Sequence, residues 1–194
     1  MQTVDIKAEL KEARGKAAKP MLWIGIVTII MLFAGLTSAY IVRQAEGNWL
    51  QFNLPLQFYI STAFILLSSA TMIWAVNSVK QNNLVNLQRG LLLTLLFGVG
   101  FAWSQFAAWG DLVETGIFFT GAKSNAAGSY LYVISGVHLA HLAAGLLALL
   151  FSFIQAYRGK YSAKNKLGVE LVATYWHFLD ILWLYLLLFL LFIR

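Results

Sequence analysis

The chain has 194 residues, of which 60% are hydrophobic and 11% are charged, whereas soluble globular domains carry about 25% charged residues. This composition indicates that lipid surrounds most of the fold. The chain contains no cysteine, which excludes a disulfide framework, a thiolate metal site and a cysteine nucleophile. The net charge of +6 lies in short segments between apolar runs, a pattern typical of membrane topology and not of a nucleic-acid-binding face.

Five apolar stretches are long enough to cross a bilayer, because a hydrocarbon core about 30 Å thick needs about 20 residues of helix. Helices are expected because lipid offers no hydrogen-bond partner to an open strand edge. Nothing in the middle of the chain resembles an interdomain linker. The sequence therefore predicts an all-α membrane bundle over residues 21–194, with helices at about 21–42, 56–76, 90–109, 129–157 and 169–193.

The segment before the first stretch, residues 1–20, mixes five basic residues with three acidic ones. This pattern predicts an amphipathic, interfacial helix on the cytoplasmic leaflet and not a secretory signal. Pro20 stands just before the first apolar turn, where a missing N–H group is tolerated, so Pro20 is expected to open the first helix.

Lys and Arg residues are divided unequally between the two sides of the predicted bundle. Eleven of the fourteen fall in the N-terminal segment, around Lys80 and Arg89, or between Arg158 and Lys166. The opposite side holds only Arg43, Lys123 and Arg194. The positive-inside rule therefore predicts a cytoplasmic N-terminus and an outer C-terminus, in a multi-pass protein of the bacterial inner (plasma) membrane.

Ionisable side chains inside membrane spans are rare and usually face protein. Here they are the three histidines and two carboxylates, namely His138, His141, Glu170, His177 and Asp180. Helical spacing puts His138 and His141 on one face of the fourth helix, and the other three on one stripe of the fifth. At about 1.5 Å of rise per residue, His141 lies at a depth comparable to that of His177 and Asp180, so a pairing between them is a hypothesis.

Three interpretations of these residues stay open. Haem or copper ligation would need suitable partner ligands, and an H-x-x-H spacing alone is a weak pattern. A proton relay would need a longer series of polar residues than these helices offer. A structural polar cluster that fixes helix packing needs only interhelical contacts, and we favour it. In that interpretation the chain has no catalytic residue, no metal site and no cofactor-binding residue.

Three other polar residues have simpler interpretations. Gln105 is expected to connect helices, and Asp111 and Glu114 are expected in a solvated outer loop. No dinucleotide-binding, Walker or nucleophile-elbow motif is present. The isolated chain therefore offers no active site of its own.

The fifth stretch carries the most specific pattern in the chain. Residues 168–183 read Gly-Val-Glu-Leu-Val-Ala-Thr-Tyr-Trp-His-Phe-Leu-Asp-Ile-Leu-Trp. This run closely resembles the last-helix signature of cytochrome c oxidase subunit III, a glutamate followed by a Tyr-Trp-His-Phe run with a downstream Asp and Trp. The matching residues are Glu170, Tyr175, Trp176, His177, Phe178, Asp180 and Trp183.

Shorter segments extend the resemblance over most of the chain. Residues 128–129 are Gly-Ser, and residues 136–145 match the Gly-x-His-x-x-His-x-x-x-Gly segment of that family. Residues 33–40 and 105–114 are similar in a less specific way. One position departs, because many members carry a buried glutamate in the first of the matching helices where this chain has Ile29. Any role of that carboxylate is not carried over.

The resemblance implies a non-catalytic subunit III of a haem-copper terminal oxidase, which reduces oxygen to water and pumps protons. Family members bind no haem or copper, which reside in partner subunits. They pack against catalytic subunit I, hold phospholipids, and support proton uptake and durability during turnover. Other oxidase subunits and a respiratory supercomplex are further implied partners. The long form has seven helices, so the first two are expected to be absent here or supplied by another subunit.

Alternative functions also follow from the sequence. A quinol oxidase would use the same type of subunit, because the choice of electron donor lies in other subunits. A small membrane transporter would show a water-filled polar route through the bundle. A stand-alone cytochrome b would carry haem in the purified single chain.

Overall fold

The structure, a computed structural model, describes residues 2–122, 124–163 and 165–193. Lys123, Lys164 and Arg194, which the orientation prediction used, lie outside these residues. The helices of the described ranges are α1 (Gln2–Ala45), α2 (Leu56–Lys80), α3 (Leu84–Glu114), α4 (Ala126–Tyr157) and α5 (Leu167–Phe192). All five are long and apolar enough to span a membrane, which confirms the predicted all-α membrane bundle. In the same ranges the one β-type pairing is an isolated bridge between Ser162 and Asn165.

Most helices extend beyond the predicted apolar stretches, because backbone hydrogen bonding continues into the polar residues that flank them. The side chain of Asn83 accepts a hydrogen bond of 3.1 Å from the N–H of Asn86, which starts α3 six residues before Gly90. Asn125 likewise accepts one of 2.9 Å from the N–H of Ala127 at the start of α4. Hydropathy predicts the apolar part of a helix, whereas capping side chains determine where the helix begins.

The first helix differs most from its prediction. Helix α1 begins at Gln2 and continues through Pro20 to Ala45, so the prediction that Pro20 opens this helix near residue 21 is wrong. Proline in a helix interior removes one backbone hydrogen bond, but helices of membrane proteins tolerate the loss where neighbouring groups compensate. The position of residues 2–20 relative to the membrane surface stays a prediction.

Helix α5 lies at the centre of the bundle. It packs against α1, α2 and α4, while α2 packs on α3 and α3 on α4. Half of the most apolar segment of α5 is buried, against 22% of that of α1. Helix α1 contacts only α4 and α5 within the described chain, so a gap separates α1 from α2. The helix that carries the family-like run is therefore the most buried of the five in the described part of the chain.

Candidate functional site: the α2–α5 seam

The two tryptophans of the fifth-helix run are hydrogen-bonded to helix α2. The indole N–H of Trp176 donates to Ser68 Oγ at 2.8 Å, and that of Trp183 donates to Thr62 Oγ1 at 3.0 Å. Both hydroxyls donate in turn to backbone carbonyls of α2, at Ile65 and Phe58. Each hydroxyl therefore donates one hydrogen bond within α2 and accepts another from an indole N–H of α5. We call this contact the α2–α5 seam, formed by Thr62, Ser68, Ser69, Trp176, His177, Asp180 and Trp183.

The ionisable part of the seam consists of His177 and Asp180. Ser69 Oγ and His177 Nδ1 share a hydrogen bond of 2.8 Å between the two helices. The same ring nitrogen lies 3.6 Å from Asp180 Oδ2. Asp180 is only 3% exposed, and neither of its carboxylate oxygens has a hydrogen-bond partner among the described residues. His177 therefore lies between this buried carboxylate and Ser69 of α2.

Glu170 lies apart from this pair, in the first turn of α5. Its carboxylate is 3.2 Å from the ammonium of Lys166, one turn earlier, and 3.9 Å from that of Lys19 on α1. A negative charge near a helix N-terminus interacts favourably with the helix dipole. Glu170 thus stabilises the start of α5 and connects it to α1.

His138 is enclosed by aromatic rings. The side chain is fully buried, with ring centroids 5.2 Å from Trp183, 5.8 Å from Phe101 and 6.4 Å from Phe33. Neither ring nitrogen has a hydrogen-bond partner among the described residues. Its contacts in this chain are therefore packing contacts that fill the space between α1, α3, α4 and α5.

His141 makes a different set of contacts. Its Nδ1 is 2.8 Å from the carbonyl oxygen of Val137 on the same helix, and its own carbonyl accepts a bond of 3.2 Å from the hydroxyl of Tyr175. The hypothesised pairing of His141 with His177 or Asp180 is not formed among the described residues. Equal depth in the membrane does not place two side chains on facing sides of their helices.

Polar contacts also join α2 to α3, beside Thr62 of the seam and toward the start of α2. Gln105 donates to Ser61 Oγ at 2.8 Å, in agreement with its predicted role between helices. Asp111 and Glu114 lie in the last turn of α3, so their predicted placement in a loop is wrong. Asp111 accepts a hydrogen bond from the Gln57 amide, and it therefore helps to fix α2 against α3.

The sequence interpretation missed the partners of the fifth-helix run on α2. Trp176 and Trp183 are seven residues apart, whereas their partners Ser68 and Thr62 are six residues apart. No matching spacing in the sequence therefore signals which residues of the two helices meet. Among the described residues, no group of three or more His, Cys, Asp or Glu side chains could hold a metal ion. Whether the five ionisable residues act only in packing stays a prediction.

Comparison with known proteins gives a consistent family assignment. The family model for cytochrome c oxidase subunit III matches residues 48–193, which include α2 to α5. A probable cytochrome c oxidase subunit 3 of Nocardia farcinica is 34% identical over 80% of this chain and 77% of the relative. One of Mycobacterium tuberculosis is 31% identical over 85% and 82%. The cytochrome c oxidase subunit 3 of Loxodonta africana is 32% identical over 66% of this chain and 46% of that protein.

Proposed function

This chain belongs to the cytochrome c oxidase subunit III family, and we propose that it stabilises the catalytic subunit of a haem-copper terminal oxidase. Such an oxidase reduces oxygen to water and couples the reaction to proton pumping. The observation that carries the proposal is the match of α2 to α5 to this family, including the α5 residues that form the α2–α5 seam. In this proposal the chain performs no chemistry itself.

The contacts of the ionisable residues support a packing role. His177 and Glu170 engage other side chains of this chain, and His138 is enclosed by aromatic rings. Interhelical polar contacts in membranes contribute about 0.6–2 kcal/mol each, enough to favour one arrangement of helices. A bundle with a fixed arrangement presents a defined surface to subunit I. Support of proton uptake by the assembled oxidase is a further part of the proposal.

Partners and location follow from the same proposal. Membership in the family implies a multi-subunit complex, and we propose subunit I, other oxidase subunits, phospholipids and a respiratory supercomplex as the partners. Haem and copper belong to partner subunits. Five spanning helices make this a multi-pass membrane protein, and similarity to mycobacterial relatives supports the bacterial inner membrane. A quinol oxidase is the second candidate, because this chain does not select the electron donor.

The proposed function is tested by isolating the tagged chain from native membranes in mild detergent. We expect haem absorption to co-purify, together with cyanide-sensitive oxygen consumption. Comparison of cytochrome c and quinol as donors then distinguishes the two candidates. A colourless chain, isolated alone under conditions that keep other respiratory complexes intact, would contradict the oxidase assignment and favour a transporter.

His177→Ala is expected to weaken retention of the chain without changing the chemistry of the oxidase. The substitution removes the bond to Ser69 and the 3.6 Å contact with the buried Asp180, which costs about 0.6–2 kcal/mol. The fraction of complexes that keep the chain after a detergent wash should fall severalfold, while initial turnover per intact complex stays near normal. His141→Ala is the matched control, because the ring of His141 hydrogen-bonds to its own helix and packs on Phe33 of α1 at 5.9 Å, so its loss leaves the bonds of the α2–α5 seam in place. A collapse of turnover with the chain fully retained would refute the packing role.

Single cysteines test the proposed orientation, since the chain has none of its own. Glu46 follows the end of α1, and Lys160 lies between α4 and α5; both residues are exposed. A membrane-impermeant maleimide should label Glu46→Cys in intact spheroplasts and Lys160→Cys only after permeabilisation. The reverse pattern would show that the lysine-rich side faces outward.

A further inference from the structure

A cavity of about 480 Å³ between α1, α2 and α5 borders the α2–α5 seam. It lies where α1 and α2 make no direct contact in the described chain. The ring of His177 lines this cavity, and the His177 side chain is 30% exposed, whereas that of Asp180 is 5% exposed. His177 is therefore the member of the seam that faces the cavity. The other polar side chains that line the cavity are Lys19, Asn77, Lys80, Glu170 and Thr174.

The cavity meets the requirements for hydration. An enclosed water molecule needs about two to four polar partners, and its share of liquid volume is about 30 Å³, so this cavity has both the room and the polar lining. Lys19 and Lys80 are exposed, which places its polar end in contact with the aqueous phase on the lysine-rich side of the bundle. Protons from that phase can therefore reach the ring of His177, although α5 is long and apolar enough to span the membrane.

From His177 the polar contacts continue only a short way into the bundle. The ring nitrogen Nδ1 shares a hydrogen bond of 2.8 Å with Ser69 Oγ of α2, and it lies 3.6 Å from Asp180 Oδ2. Neither carboxylate oxygen of Asp180 has a hydrogen-bond partner among the described residues. The His177–Asp180 pair is therefore an end point for protons from the cavity and not part of a path through the bundle.

The charge of this pair changes the free energy of the contact between the helices. Histidine is the side chain that ordinarily changes its charge between about pH 5 and 8. An imidazolium gives the carboxylate of Asp180 a counter-charge, whereas the pair that has lost its last proton, as a coupled unit, leaves one negative charge buried. An unpaired buried charge is costly. Proton binding and the closed seam therefore favour each other, so the seam weakens as the pH rises.

The other charged groups near His177 do not produce this dependence. Lysines and carboxylates ordinarily keep their charges between about pH 6 and 8. On α4, the ring of His141 hydrogen-bonds to its own helix, and His138 is enclosed by aromatic rings. The lysines and the further carboxylate on the helices packed around His177 are Lys19 of α1, Lys80 of α2, and Lys166 and Glu170 at the start of α5.

We propose that the His177–Asp180 pair makes the α2–α5 seam sensitive to the pH on the lysine-rich side of the membrane. The protonated pair keeps α5 closed against α2, and loss of the proton leaves a buried negative charge that favours opening of the seam toward the water of the cavity. The consequence for retention of the chain in an oxidase rests on the proposed function. The effect on the seam itself rests on this chain alone.

The test compares the half-life of the folded chain at about pH 6 and about pH 8, at one elevated temperature, in mild detergent. The tagged chain is used as it is isolated, with its partners or alone. One linked proton changes the unfolding equilibrium by at most about tenfold per pH unit, so we expect a half-life several times shorter at the higher pH. Equal half-lives at the two pH values would overturn the proposal. Co-purified haem is scored separately, so failure of the oxidase assignment is distinguishable from failure of the pH effect.

Two variants assign the pH effect to the pair. His177→Gln keeps a hydrogen-bonding partner for Ser69 but does not titrate, and Asp180→Asn keeps the shape of the side chain without its charge. Both should give equal half-lives at the two pH values, whatever their stability relative to the unmodified chain. His141→Gln is the matched control and should keep the pH effect in full. A pH effect that survives in His177→Gln, or disappears in His141→Gln, would overturn the assignment.

A labelling experiment tests whether water reaches the pair. Thr174 lines the cavity one turn before His177, and the chain has no cysteine of its own. In native membranes Thr174→Cys should react with a charged methanethiosulfonate reagent. Ile181→Cys is the matched control two turns along α5, because Ile181 is 66% exposed but lines an apolar groove, and it should stay unlabelled. An unreactive Thr174→Cys, or equal reaction at both positions, would overturn the hydrated cavity.

Discussion

Gly90→Ala is expected to destabilise the packing of α2 on α3 by about 1–3 kcal/mol, the typical effect of overpacking. A Cβ atom at Gly90 would lie 2.9 Å from the Cβ of Ala75 and 3.0 Å from its Cα. A backbone atom cannot move away as the end of a flexible side chain can, so the helices must separate. About one turn away, Thr71 and Thr94 share a hydrogen bond of 2.8 Å between the same helices, and separation would weaken it as well.

Helix propensity alone predicts the opposite sign, because alanine is about 1 kcal/mol more favourable than glycine in a helix interior. Gly110→Ala is the matched control on α3, since a Cβ there meets nothing within 4 Å. The temperature at which the chain dissociates from the complex should fall for Gly90→Ala and stay equal or rise for Gly110→Ala. Adding Ala75→Gly should restore part of the loss, a non-additive effect expected of residues in contact. Equal behaviour of the two glycine variants would contradict the steric argument.

The helices could be predicted from the sequence because few backbone structures other than a helix are stable within lipid. A spanning segment must satisfy its backbone hydrogen bonds internally, so an apolar run of sufficient length is enough to predict each helix. The ends could not be predicted in the same way. Hydropathy does not predict that Asn83 caps α3 or that α1 continues through Pro20, since neither feature changes the apolar run itself.

The candidate site was predictable only on one of its two helices. The spacing of His177 and Asp180 indicates a shared face of α5, and the structure places them 3.6 Å apart. Spacing within a helix does not determine which neighbour that face meets, because this depends on the rotation and order of all five helices. The bonds to Ser68 and Ser69 were therefore missed, and a pairing with His141 was expected instead. Serine and threonine are common in membrane helices, so their presence in a sequence does not indicate which of them form contacts between helices.

Trp176→Ala is expected to have the largest effect of any single substitution in the α2–α5 seam. The indole is fully buried and occupies space that two glycines leave open, because a Cβ at Gly98 would lie 2.7 Å from its Cη2 and one at Gly145 would lie 3.3 Å from its Cε3. Truncation of a buried Trp in a soluble core costs about 3–5 kcal/mol. We expect a cost near the lower end of this range, because lipid is as apolar as the protein interior and the substitution mainly removes packing contacts.

Two further variants divide this effect into packing and hydrogen bonding. Trp176→Phe keeps an aromatic ring between Gly98 and Gly145 but removes the bond to Ser68, so it should cost about 1 kcal/mol. Trp103→Ala removes an equally large side chain that is 77% exposed, and it should leave the unfolding temperature of the bundle nearly unchanged. Because Ser68 still donates to the Ile65 carbonyl, the phenylalanine variant leaves the Ser68 hydroxyl proton paired.

Thermal unfolding of the purified complex measures the three effects. The unfolding temperature should be much lower for Trp176→Ala than for Trp176→Phe, and slightly lower for Trp176→Phe than for Trp103→Ala. If Trp103→Ala were as destabilising as Trp176→Ala, contacts outside this bundle, and not the seam, would hold the chain together.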